Sequence, residues 1–367
     1  MNGIYLSQDL THAYGILEKI NKQIDEFEKN GFHITKHING KRNIFHLLRN
    51  LMPFWSEQYF KTKNINWKNF DFAYIRKGAV LDKSVVQLVK EAKIQNPNIR
   101  IILEIPTYPY LNEFNGLVKL DIMIKEKKWA KKLSNYINKV VTYSDDQEIF
   151  GIECINISNA YNFNELVLTQ EENSDETIHL IGVATLCFYH GYDRLIEGLK
   201  DYYTTNEKKR KVDFTLIGDG PVLKDYQKLV KDYQLEDVVK LNGRIKLSDL
   251  DDYYQVASIG VDSLGRHRSG VTYNSSLKGK EYLAKGLPII SGVKTDLDDK
   301  NLPFYYRVPN DNSPVNIFAL VDWYDGLMLD KSKNKLSTEI YSYGKNNFTF
   351  SVTFSPVIEY LKGAFYE

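Results

Sequence analysis

Residues 274–290 read NSSLKGKEYLAKGLPII, and their spacing says more about the chain than any other stretch. Asn274, Ser275 and Ser276 are residue types that start helices, because their side-chain oxygens accept a first-turn N–H. Leu277, Tyr282 and Leu283 follow at helical spacing. Gly286 and Pro288 stop the helix, and an apolar pair opens a strand. The expected step is a helix over 276–285 and a strand over 288–290, one turn of an α/β winding. Where such a helix opens at the carboxyl edge of its sheet, its free N–H groups form an anion site suited to a diphosphate. Lys278 in the first turn opposes the helix dipole, at a cost of roughly 0.3 kcal/mol or more unless an anion sits there. A lysine at that disfavoured position hints at a bound phosphate. Glu281, nearly a turn further on, is read as an acceptor for ribose hydroxyls. The plainer alternative is an ordinary capped surface helix.

Outward from this stretch the same alternation repeats. In the second half, strands are expected over 177–183, 212–217, 238–241 and 258–261. Helices are expected over 191–203, 223–233 and 247–255. In the first half, strands are expected over 3–7, 32–38, 44–48, 70–75, 99–105, 140–143 and 155–158, with helices over 11–29, 83–94 and 117–138. Residues 52–63 are aromatic and basic and have no clear period. The polar stretch 159–174 reads as a connection. The fold expected is α/β: two Rossmann-like, doubly wound domains, 1–165 and 166–349, facing a central cleft. A last helix, beginning at Pro356 within 350–367, is expected to pack back on the first domain. Ligands of such sheets bind where the loops gather at the strand carboxyl ends.

Composition narrows the classes. The chain has 367 residues and a formal net charge of +1, so whole-chain charge selects no partner. Lysine and arginine exceed acid before residue 165, and acid exceeds them after it. Cys154 and Cys187 lie in different predicted domains, which argues against a disulfide framework. The opening MNGIYLSQDL lacks a basic start and an apolar core, and no run approaches a membrane span. A cytoplasmic protein is expected, at the inner face of the plasma membrane. The helix over 117–138 gathers Lys119, Lys125, Lys127, Lys128, Lys131 and Lys132 around Trp129. It is either a solvated outer face with a core tryptophan or a peripheral contact with anionic lipid.

The stretch SSLKGKEYLAKGLPII resembles the donor-site helix of retaining GT-B glycosyltransferases of the group 1 type, which build bacterial polysaccharides and glycans. The likeness is to a divergent subgroup with an S-L-K-x-R/K-E-Y motif. Other matches are spaced along the chain. FTLIGDGP at 214–221 is similar to the family's strand–GDGP–helix step. HGYDRLIEG at 190–198 resembles K-G-x-D-x-L-I-x-A, with His190 where a phosphate-binding lysine is common. SNAYN at 158–162 resembles the interdomain N-G-x-D. EIPTYPY at 104–110 resembles an acceptor-domain loop. The family's usual first glutamate falls at Tyr273, where it is missing.

The resemblance implies a transferase moving a sugar from a nucleotide-sugar, UDP-linked by preference, to a glycan, lipid-linked or protein-linked acceptor. Retention and independence from metal and cofactor are implied with it. Charge at the leaving group is to be met by Lys278, Lys280 and the loop arginines Arg266 and Arg268. Ser275, Ser276, Asn274, Tyr273 and Gly218 complete the donor set, and Arg244 lies where a nucleobase loop is expected. Glu104 and His190 are the candidates should a protein base act. Tyr108, Tyr110 and Gly15 are placed on the acceptor side. A homo-oligomer is among the expected partners, and nucleic acid is not. Two alternatives stay open: a catalytically silent partner subunit, favoured by Tyr273, and a nucleotide-sugar epimerase. The GxG at 218–220 lacks the third glycine of a dinucleotide fingerprint. The D-x-D triplets at 249–251 and 296–298 are not read as metal sites.

Overall fold

The computed structural model describes residues 1–8, 14–39, 65–78, 80–114, 116–164, 166, 177–205, 210–329 and 331–363. Two compact units emerge, one of Met1–Ser158 with Phe350–Glu367, the other of Asn159–Thr349. The expected strand at 44–48 and the stretch 52–63 lie outside the described residues.

In chain order the first unit has β1 (Asn2–Gln8), α1 (Tyr14–Lys29), β2 (His33–Asn39), β3 (Phe72–Arg76), α2 (Lys83–Gln95), β4 (Arg100–Ile105), α3 (Gly116–Trp129), β5 (Lys139–Thr142), β6 (Glu148–Ile149) and β7 (Ile152–Asn156). The sheet order is β2-β1-β3-β4-β5-β7-β6, parallel except for the short β6 against β7. A parallel sheet is covered on both faces, so its strands alternate between two cores rather than between core and water. Ile4, Leu6, Ala73, Ile75, Ile101 and Leu103 point to one core. Tyr5, Phe72, Tyr74 and Ile102 point to the other.

The second unit runs β8 (Ile178–Val183), α4 (Asp193–Thr204), β9 (Val212–Ile217), α5 (Leu223–Asp232), β10 (Val239–Leu241), α6 (Leu250–Val256), β11 (Ile259–Val261), α7 (Leu277–Ala284), β12 (Ile289–Ser291), β13 (Tyr305–Arg307), α8 (Ile317–Met328) and α9 (Lys333–Asn347). Its sheet is parallel throughout, in the order β10-β9-β8-β11-β12-β13. The chain then supplies α10 (Phe350–Gly363), whose Phe354, Val357, Ile358 and Leu361 join the core of Tyr5, Phe27 and Phe72 in the first unit.

Four expectations need correction. Pro356 does not open the last helix but sits inside it. The helix over 117–138 stops at Trp129 and tightens into a 3₁₀ turn, Ala130–Asn135. The helix over 247–255 likewise starts as a 3₁₀ turn, Leu247–Asp249. Residues 159–164 belong to the second unit, for hydrogen-bonding reasons: the Asn159 N–H donates to Ser275 Oγ at 2.8 Å, and the Tyr161 N–H to the Phe348 carbonyl at 3.0 Å.

Candidate active site

Because the second sheet is parallel, the loops after β8, β9, β11 and β12 leave from one edge. Backbone contacts hold them together there. The Leu264 N–H donates to the His190 carbonyl at 2.7 Å, and a Cβ on Gly191 would stand 2.5 Å from the Gly265 nitrogen. Gly218 has φ +135°, and a Cβ there would meet the Ala184 carbonyl oxygen at 1.8 Å. Only glycine fits such a crossing. Gly218 therefore packs two loops together, and its N–H donates to the Gly243 carbonyl at 2.7 Å. That bond fixes the turn carrying Arg244, which is 77% exposed and 3.7 Å from Asp219.

The α7 start lies at this edge. Ser276 is the N-cap, accepting from the Gly279 N–H at 3.3 Å, and its hydroxyl donates to Asp262 Oδ1 at 2.8 Å. Asp262 directly follows β11 and is buried. Lys278 Nζ stands 3.7 Å from the same carboxylate oxygen and donates to Ser263 Oγ at 3.1 Å. Burial pushes the Lys278 ammonium down to about 8, with Asp262 opposing and Arg266 adding to the fall. Sequence reasoning missed Asp262. It lies one residue past a predicted strand, the position where site residues gather, and that was the available signal.

His190 is buried beside this group. Its Nδ1 accepts from the Cys187 N–H at 3.1 Å. Burial, then Lys278 and Arg266, push its pKa far below the ordinary value. A neutral imidazole that accepts at Nδ1 carries its proton on Nε2, so His190 offers a donor. The expectation of His190 as a base is corrected on that ground. Arg266 places its guanidinium 4.5 Å from the Tyr189 ring centroid. Lys278, Arg266 and His190 thus lie close enough to act on one another's charge, with Asp262 beside Lys278.

Other expected donor residues are spent elsewhere. Lys280, 1% exposed, is paired with Asp296 and lies 4.0 Å from the Phe348 ring. Ser275 donates to Asp296 at 2.6 Å and accepts from Asn159. Arg268 grips Asp193 with two hydrogen bonds, 2.9 and 2.7 Å, and also meets Phe188 and Asn312. These three hold the scaffold and are not clamps on a phosphate. Asn274 and Tyr273 sit in the strand-like run beside Lys294, Asn274 donating to its carbonyl at 2.9 Å. Glu281, on the next turn of α7, faces the hydroxyls of Tyr254 and Tyr161. Desolvation raises its pKa, and those hydroxyls and Lys285 oppose the rise.

In the first unit, Glu104 on β4 is fully buried. It accepts from Tyr74 at 2.8 Å, Gln23 at 3.1 Å and Tyr143 at 3.2 Å, and is paired with Arg76. Desolvation would raise its pKa, but Arg76, Lys19 and the hydroxyl and amide donors outweigh it and hold the carboxyl below its usual range. A carboxylate so filled has no lone pair left for a substrate proton, so Glu104 is withdrawn as a base. Tyr110 is buried with Lys77 Nζ 3.6 Å from its ring centroid, which removes it from an acceptor surface. Tyr108 is half-buried against Tyr110 and Phe150. Gly15 lies in the first turn of α1.

No protein-family model matches the chain. Over 99% of its length it superposes on the glycosyltransferase of Rickettsia africae, covering 98% of that protein with a TM-score of 0.61 at 14% identity. It also superposes on Anabaena HepE, solved in complex with UDP, over 99% of this chain and 100% of that one, with a TM-score of 0.64 at 13% identity. The fold is GT-B. In sequence, 143 residues are 26% identical to the alpha-monoglucosyldiacylglycerol synthase of Streptococcus pneumoniae. That match spans 39% of this chain and less than a third, 31%, of the relative. Within the GT-B frame, the described donor group belongs to the second of the two doubly wound units.

Proposed function

We propose that this GT-B chain is a glycosyltransferase, moving a hexosyl or N-acetylhexosaminyl group from a UDP-sugar to a glycan, lipid-linked or protein-linked acceptor. The observation that carries the reading is the Lys278–Asp262–Ser276 constellation at the carboxyl edge of the second sheet. Asp262 anchors the N-cap and the lysine together, so the α7 start and its cation are positioned before any ligand arrives. A departing nucleoside diphosphate gains negative charge as its bond to the sugar breaks. Lys278, Arg266, the His190 Nε2–H and the N–H groups of the α7 start that Ser276 does not cap meet that charge.

The chemistry then needs no metal and no protein carboxylate pair. Retention follows if the leaving phosphate takes the acceptor hydroxyl's proton on the face it leaves. Glu281 binds the ribose hydroxyls. HepE has been solved with UDP and with UDP-glucose, and the name of the pneumococcal relative carries a glucosylated diacylglycerol. The first supports a UDP-sugar donor, and the second a glucosyl group and a lipid acceptor.

The test is nucleotide release from UDP-glucose, UDP-galactose and UDP-N-acetylglucosamine, and from their GDP counterparts, with and without acceptor extract. Acceptor-dependent UDP release that Lys278→Ala cuts by about a hundredfold is the expected result. Nucleotide binding without turnover, together with capture of a partner transferase, would favour the silent-subunit reading. Isomerisation of the free nucleotide-sugar would favour an epimerase.

A further inference from the structure

Helix α3 is built inside out. Its buried side chains are Asp121, Ile122, Lys125 and Glu126. Lys125 donates to Asp121 one turn away at 2.8 Å, and Glu126 accepts from the Leu81 N–H at 3.3 Å with Lys77 Nζ 3.8 Å away. The charges on the inner face are thus matched internally. The outer face carries Leu117, Leu120, Met123 and Ile124, exposed from 71% at Leu117 to 39% at Ile124. A helix meeting only water on that side arranges its residues the other way round.

The same face turns basic at its end. Lys127 and Lys128 in the last turn, and Lys131 and Lys132 in the following 3₁₀ turn, are all exposed. At about 100° per residue, Leu117, Leu120, Ile124 and Lys128 share one stripe. Between residues 116 and 135 the acids are Asp121 and Glu126, and both are buried. The outer surface of this segment therefore offers aliphatic side chains and ammonium groups with no carboxylate among them.

We propose that this face of α3 rests on an anionic lipid bilayer, its aliphatic side chains in the acyl boundary and its lysines at the headgroup phosphates. A contiguous exposed apolar patch marks an interaction site, and the charge pattern selects the partner. A second copy meeting it across a two-fold axis would set lysine against lysine. An anionic membrane surface offers an apolar and a negative layer within one helix diameter, and lysine stems lie along apolar surface while their heads reach phosphate. No helix among the described residues is long and apolar enough to cross a membrane, so this contact is peripheral.

The test is flotation of the full chain with vesicles of phosphatidylcholine alone or mixed with phosphatidylglycerol. The wild type floats with the mixed vesicles, and salt releases it. Each lysine contributes roughly fivefold to partitioning. The quadruple variant K127Q/K128Q/K131Q/K132Q therefore loses on the order of a hundredfold or more, and L117S/L120S/I124S at least about tenfold. The unfolding midpoint of the lysine variant stays at the wild-type value, because its four side chains are exposed, and that of the apolar variant falls only modestly, because Leu120 and Ile124 are partly covered. If either variant misfolds, Leu117→Ser alone and the pair K131Q/K132Q carry the same test. The proposal is overturned if the wild type fails to float or if neither variant changes flotation. It is also overturned if the wild type dimerises through this face without binding vesicles, or if heparin holds it as tightly as vesicles and the apolar variant is unaffected.

Discussion

Each unit buries a carboxylate among basic and hydroxyl groups, and the two are organised in opposite ways. Glu104 is closed: Arg76, Tyr74, Tyr143 and Gln23 fill it from every side. Asp262 is open: it anchors Ser276 and stands 3.7 Å from Lys278, whose side chain keeps 17% of its exposure. The first arrangement spends all its valences on the fold. The second holds a cation in place and leaves it a direction in which to act. A buried acid is thus no sign of catalysis; what matters is whether its partners are themselves spent.

The strongest break in this comparison is Glu104→Ala. It strands Arg76 in the core and should destabilise the chain by about 3–5 kcal/mol, read by denaturant unfolding. Donor affinity in whatever fraction stays folded should be unchanged. Lys278→Ala should do the reverse, cutting turnover by about a hundredfold while the unfolding midpoint holds. Equal losses of stability in the two variants would erase the distinction between closed and open.

A third measurement uses pH. With the Lys278 ammonium held at about 8 in the free enzyme, kcat/KM should fall as pH rises through that value, because the positive form is the one that meets the leaving group. Lys278→Arg should keep its activity to higher pH. Stability moves the other way. Burial depresses the pKa of Lys19 to about 7 and of Lys77 to about 8. Above those values the unfolded chain binds more protons than the folded one, so stability should rise with pH until the unfolded lysine pKa near 10.4. A falling profile over that window would contradict the burial of these lysines. The smallest effect expected is a few-fold loss of donor affinity in Glu281→Ala, measured by calorimetry. Unchanged affinity would remove it from the ribose.

The winding of both sheets was legible up to β12, because parallel strands are short apolar runs set between helices of clear period; β13, α8 and α9 were not expected. The partners were not legible, because they depend on register. Arg76 and Glu104 are Cα partners across β3 and β4, and no local pattern shows which residue of one strand faces which of the next. Lys280 could have been set aside from sequence alone. Two residues from Lys278, it points about 200° around the helix and cannot serve the same anion. Arg268 reads like Arg266 in the string GRHRSG, yet only the fold brings Asp193 to it. Tyr110 is placed on the acceptor side by the likeness of its loop, because residue type is visible in sequence and burial is not.

The placement of α10 bears on how the protein is made. The helix that covers the Tyr5–Phe27–Phe72 face is translated only after the whole of the second unit. On the ribosome, the first unit must wait with that face bare while the later one closes its own sheet. Maturation should therefore run out of chain order, and a nascent-chain protease assay would find the amino-terminal unit the last to become resistant.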